Sequence, residues 1–202
     1  MASTYSQSVS HLTEQLTKLP GVGQKTAERL AYHIVRLSDE EALELSSAIE
    51  DVKHNVQQCS RCALLSETDP CHICSDEGRD GSVVCVVEDS RDAATIDESG
   101  EYNGLFHVLC GRLAPLDGIE PEDLTVGLLV KRVREGDIKE AILATNPDRE
   151  GDATASYVRE ALEDLPVEVT RLGRGLPTGS HLQYANAAIV SDALQERRQI
   201  DK

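Results

Sequence analysis

Cys59, Cys62, Cys71 and Cys74 are spaced C-x2-C-x8-C-x2-C in a polar stretch, residues 59–78, with few apolar side chains from which to build a core. So short a segment needs a staple to hold one conformation. Two close pairs on tight knuckles can bring four thiolates to one tetrahedral cation, and this double C-x2-C spacing suits Zn2+. Reduced thiols and two disulfides are the alternatives, the second disfavoured in a reducing compartment. All four positions are Cys, leaving no coordination site for a catalytic water, so the expectation is one structural Zn2+ per chain. His72, between two ligands, reads as a bystander. Cys85 and Cys110 fall in expected strands and read as small buried hydrophobes.

The whole chain of 202 residues is 40% apolar and 28% charged with a mean hydropathy of -0.33, the composition of a folded protein. No apolar run is long enough to span a membrane. The opening MASTYSQSVSHLTEQL has neither the basic nor the apolar region of a secretory signal. The expected location is the cytoplasm. Net charge is -16, distributed as -3 over 1–58, -3 over 59–78, -10 over 79–177 and zero over 178–202. No segment is basic, so contact with a polyanion must come from a few placed cations. Six aromatic residues (Tyr5, Tyr32, Tyr102, Phe106, Tyr157, Tyr184) are too few for a surface that binds single strands chiefly by stacking.

Helical spacing runs from Thr4 to about Val56 and predicts three short helices. Pro20-Gly21-Val22-Gly23 separates the first two, and Ser38-Asp39-Glu40-Glu41 is a good start for the third. Glycines let a backbone approach closely, and the helix that follows offers free N–H groups and a positive dipole end. Lys25 and Arg29, four apart, share one face near that end. Gly21, Gly23, Lys25 and Arg29 therefore suit a phosphate backbone, read without regard to base sequence; the alternative is a plain helix connection. From Ser82 onward, apolar runs at 82–88, 105–110, 140–145 and 167–172 alternate with helical stretches at 90–98, 121–134 and 150–164. This order predicts a largely parallel α/β sheet. A last helix is expected over 184–198.

Glu88 ends the first of these runs, and Asn146-Pro147-Asp148-Arg149-Glu150-Gly151-Asp152 follows the third. Carboxyl ends of parallel strands form ligand crevices, so Glu88, Asp148, Glu150 and Asp152 could converge on Mg2+ or on a partner. A solvated acidic helix start explains them equally. The arrangement resembles the Toprim fold, whose catalytic members carry Glu after one strand and Asp-x-Asp-x-Glu after another. Here Asn146 replaces the first Asp.

A helix-hairpin-helix over 1–58, a four-Cys module over 59–78, a Toprim domain over 79–177 and a C-terminal helix over 178–202 make a multidomain α/β chain. In that order they resemble the RecR family of bacterial recombination mediators. LPGVGQKTAERLAYH (19–33), PCHIC (70–74), VVCVVED (83–89), GLFHVLCGRLAPLDGI (104–119), ILATNPDREGDATASYV (142–158) and GLPTGSHLQYAN (175–186) are similar to the family's own wording. The resemblance implies a non-catalytic mediator of recombinational DNA repair. It would bind gapped, single- and double-stranded DNA as a ring-like tetramer, joined through N-terminal regions and through the Toprim and C-terminal parts. Its partners would be RecO and RecF, and through them RecA. The family's Leu-Glu-Tyr-Ala-Asp element is here Leu182-Gln183-Tyr184-Ala185-Asn186, two amides for two acids, which favours a structural role in subunit contact. There is no Walker A motif. Two other readings remain: a Mg2+-dependent Toprim nuclease or nicking enzyme, and a zinc-stabilised adaptor that does not bind DNA.

Overall fold

The computed structural model describes residues 6–197 and separates into two compact units, one ending at Val56 and one beginning at Gln57. The first unit holds α1 (Gln7–Thr17), α2 (Gln24–Ile34) and α3 (Asp39–Asn55). α1 and α2 pack on each other through small buried side chains, Ala27 and Ala31 of α2 and Thr13 of α1. The expected start of α3 is a complete capping box. The Glu41 N–H donates to Ser38 Oγ at 3.3 Å, and the Ser38 N–H donates back to the Glu41 carboxylate at 2.9 Å. α3 buries none of its residues within the described chain.

In the second unit β1 (Gln57–Gln58) and β2 (Leu65–Ser66) form an antiparallel ribbon, followed by the short helix α4 (His72–Ser75). Then come β3 (Asp80–Val87), α5 (Ser90–Glu98), β4 (Gly104–Val108), α6 (Val126–Glu135), β5 (Glu140–Leu143), α7 (Arg149–Leu162), β6 (Glu168–Arg171) and α8 (Ala187–Gln195). β3 to β6 make one parallel sheet in the order β4-β3-β5-β6.

The near-continuous apolar run of β3 follows from its central place, since both faces of that strand are covered. Val84 and Val86 join Leu129 and Val133 of α6 and Ala155, Val158 and Leu162 of α7 in one cluster. Cys85 and Val87, alternating onto the other face, pack with Ala93 of α5, Phe106 and Val108 of β4, and the Cys59–Ile73 loop. One face of the sheet is thus covered by two helices. The other is covered by one helix and the four-Cys loop.

Three expectations need correction. Cys85 is buried as expected, but Cys110 lies beyond β4, exposed and at φ 63°, where the chain turns away from the sheet. α6 starts at Val126 rather than 121, because Pro121–Asp123 forms a separate 3-10 turn preceding it. The last helix spans Ala187–Gln195, capped by the Asn186 side chain, which accepts from the Ile189 N–H at 2.9 Å. Arg198, like Thr4 and Tyr5, lies outside the described residues.

His107 is fully buried on β4. Thr125 Oγ1 donates its proton to Val108 O at 2.5 Å, so it can only accept from His107 Nε2, 3.0 Å away. The proton therefore sits on Nε2, and Nδ1 is left without a partner. Burial pushes the His107 pKa down to about 4, and the nearby Arg132 charge adds to the shift. The unfolded chain, with a histidine pKa of about 6.5, takes up this proton first, so stability falls as pH drops from about 6.5 towards 4. Denaturant midpoints should show the native chain losing ground to His107→Gln across that window, and equal pH slopes would contradict the lowered pKa and its cause in burial.

Candidate zinc centre, backbone-binding turn and acidic crevice

The four-Cys loop is built from two knuckles. In the first, the Cys59 N–H donates to Leu64 O and the Ala63 N–H to Cys59 O, both at 2.8 Å. In the second, Cys71 caps α4, its sulfur accepting from the Cys74 N–H at 3.4 Å. Asp69 joins the two, accepting from the Ser60 N–H at 2.8 Å. All four Sγ atoms lie within 4.8 Å of one another, and among the described residues this is the only group of three or more metal-ligating side chains. Cys62 and Cys71 sulfurs are 3.6 Å apart, against about 3.8 Å between ligands of a tetrahedral site with Zn–S near 2.3 Å. His72 is exposed and outside the cluster.

The donors' electrostatics fit the same ion. A hydrogen bond with Cys62 pulls the Cys74 thiol down to about 5, helped by the Arg132 charge. That same bond drives Cys62 up, and burial raises Cys71 to about 11. Crowding thus opposes the joint ionisation of Cys62, Cys71 and Cys74, and a bound dication removes that conflict.

In the first unit the turn between α1 and α2 needs Gly21, which sits at φ +76°. Open space faces both Gly21 and Gly23 where a Cβ would stand. Gly23 caps α2 in an extended conformation without a side chain, leaving the first-turn N–H groups of Gln24 and Lys25 facing outward. Lys25 and Arg29 are exposed, and among the described residues neither forms an ion pair. The glycine turn is open on its outer side, and its two flanking cations are exposed.

The acidic residues are arranged differently from a shared metal site. Glu88 lies at the carboxyl end of β3, the point where the chain order reverses across the sheet, and is 6% exposed. Both its oxygens are occupied by Asn146, from the backbone N–H at 2.8 Å and from Nδ2 at 2.7 Å. Asp148 caps α7, accepting from the Gly151 N–H at 2.8 Å, and accepts from Arg112 Nη1 at 2.8 Å. Asp152 accepts from Arg171 and Arg174, which hold its carboxyl below the usual range, Arg174 foremost. Glu150 is exposed. Three of the carboxylates that could converge, Glu88, Asp148 and Asp152, are drawn instead to separate partners.

Comparison with known proteins follows the same divisions. The family model for the RecR helix-hairpin-helix matches residues 9–53, that for the RecR four-cysteine zinc finger domain 56–76, and that for the Toprim domain 82–173. The recombination protein RecR of Rhodopirellula baltica is 52% identical over 198 residues, 98% of this chain and 100% of that protein. Those of Rubrobacter xylanophilus and Staphylococcus saprophyticus are 48% and 41% identical over 98% and 97% of the chain. The chain belongs to the RecR family. The four-cysteine cluster and the RecR zinc-finger match together support zinc as its ion.

Within this RecR chain the sequence did not reveal Arg112, Arg171, Arg174 or Gly151 as parts of the crevice. The first three act across 36, 19 and 22 positions, a range over which local pattern carries no signal. Gly151 was detectable only as a glycine inside a helical stretch. A Cβ there would stand 2.0 Å from Asn146 O and 3.0 Å from the Glu88 carboxylate. Gly151→Ala must therefore displace the Asn146 peptide that binds Glu88, and should cost about 3 kcal/mol or more by overpacking. Gly127→Ala on α6, with nothing within 4 Å, should instead be neutral or stabilise by up to about 1 kcal/mol. Urea unfolding of the two variants checks both, and equal effects would contradict the packing described.

Proposed function

We propose that this chain is a non-catalytic DNA-binding mediator of recombinational repair, a ring-like tetramer acting in the cytoplasm with RecO and RecF to load RecA at gapped DNA. The observation that carries this reading is the pairing of near full-length identity to RecR proteins with a glycine turn whose flanking Lys25 and Arg29 are exposed and unpaired. A net charge of -16 is compatible with DNA if these few cations face a lumen and the acidic surface faces outward. Gly21 and Gly23 let the phosphate backbone approach, and Lys25 and Arg29 neutralise it.

Self-association is supported by two apolar surfaces. α3 exposes Leu45, Ile49 and Val52 at spacings of four and three. The C-terminal segment exposes Leu182, Tyr184 and Leu194, consistent with the Gln183/Asn186 version of its element serving structure. No helix of the described residues is long and apolar enough to cross a membrane. One structural Zn2+ per chain on Cys59, Cys62, Cys71 and Cys74 completes the reading. Glu88, Asp148, Glu150 and Asp152 serve as a hydrogen-bonded rim and partner surface, because Asn146, Arg112, Arg171 and Arg174 already engage three of these carboxylates. Such engaged groups also speak against the nuclease alternative.

Fluorescence anisotropy of a gapped duplex across a salt series tests the DNA claim. The Lys25→Ala, Arg29→Ala double variant should bind more weakly, its log K against log salt shallower by about 0.9 for each phosphate that is no longer neutralised. Superimposable curves would move the protein to the adaptor reading. Metal analysis of freshly purified, reduced protein should give one zinc per chain, and a value well below one would overturn the zinc assignment.

A further inference from the structure

Cys74 is unlike the other three sulfur ligands. Cys59, Cys62 and Cys71 are buried, whereas Cys74 is half-buried and borders a groove of about 550 Å³ between the four-Cys loop and α6. Arg132 of α6 lines the same groove. Its Nη1 donates to Phe106 O in β4 at 2.6 Å, and its Nη2 points at Cys74 Sγ from 3.9 Å, the long reach of a hydrogen bond to sulfur. No carboxylate pairs with it among the described residues. A half-buried guanidinium is thus tethered by a backbone carbonyl on one side and faces a metal-binding sulfur on the other. Four thiolates on one Zn2+ leave the centre at a net charge of -2, which a neighbouring cation offsets.

Resting on the zinc assignment above, we infer that Arg132 is the outer-sphere cation of this centre, a positioning residue that withdraws charge from the Cys74 sulfur and guards the one ligand open to the groove. Hydrogen bonding and positive charge lower the electron density of a metal-bound thiolate, so they slow its attack on electrophiles and the metal loss that follows. Arg61 provides the internal comparison. It lines the same groove but donates to the Cys74 carbonyl, at 3.4 Å, and not to the sulfur.

The test uses the zinc-loaded full chain with N-ethylmaleimide as probe. In this reaction the sulfur forms an S–C bond to the maleimide alkene as the Zn–S bond breaks, and the resulting carbanion takes a proton from water. Freed zinc is read with a chromogenic chelator, and the first adduct is placed by peptide mass spectrometry. Arg132→Met should release zinc about ten-fold faster, with the first adduct on Cys74. In Co2+-substituted protein the sulfur-to-metal charge-transfer band of this variant should move to longer wavelength, as expected for a more electron-rich sulfur. Arg132→Lys should restore most of both properties, and Arg61→Ala should leave both at native values. A merely structural Arg132 would lower stability without moving the band. Unchanged release and an unchanged band in fully zinc-loaded Arg132→Met, or a first adduct on Cys59, Cys62 or Cys71, would overturn the inference. Should Arg132→Met not fold, the neutral Arg132→Gln decides: release several-fold faster with a shift of the band to longer wavelength supports it, and native values in both overturn it. Native protein that purifies with almost no zinc would instead overturn the zinc assignment itself.

Discussion

Four sulfurs held within 4.8 Å of one another repel as soon as more than one ionises, and a divalent cation is what makes that crowding favourable. The consequence reaches beyond the loop. Cys62 O accepts the Val108 N–H at 2.8 Å, and Cys59, Cys62, Ala63, Leu64 and Ile73 share one apolar cluster with Cys85, Val87, Phe106 and Val108 of the parallel sheet. The zinc loop thus takes the place of a second covering helix on that face. Losing its geometry would expose β3 and β4 to water, where each large apolar side chain contributes about 1.5–3 kcal/mol by burial.

The crevice depends on the same strands. The Gly111 N–H donates to Glu88 O at 3.0 Å, so the segment leaving β4 forms one wall beside the end of β3. It then presents Arg112 to Asp148. Asn146 seals the other side by taking both oxygens of Glu88. In catalytic Toprim domains an acid at the Asn146 position would repel Glu88 unless metal stood between them. Its amide makes the pair mutually satisfied without metal. An amide in place of a carboxylate at this one position turns a repulsive pair into a hydrogen-bonded one.

Features carried by local physics were legible in the chain. The double C-x2-C spacing, the glycine turn before Lys25 and Arg29, the Ser38–Glu41 cap and the alternating apolar runs each depend on residues within a few positions. What depended on distant partners was not legible. Cys110 follows an apolar run, but the chain must leave the sheet there to reach the Glu88 wall, so it sits exposed at φ 63°. Asp148 and Asp152 are engaged by Arg112, Arg171 and Arg174 from positions no periodicity connects. Arg132 looks like an ordinary helical cation until the fold sets it between Phe106 and Cys74.

The central claim is that the zinc loop and the sheet form one cooperative structure. Hydrogen–deuterium exchange of zinc-loaded and zinc-stripped protein, kept reduced, measures this directly. The account predicts that stripping the metal exposes the amides of β3 and β4, residues 83–87 and 104–109, together with those of 57–76. Exchange that rises only within 57–76, with the sheet as protected as before, would contradict it.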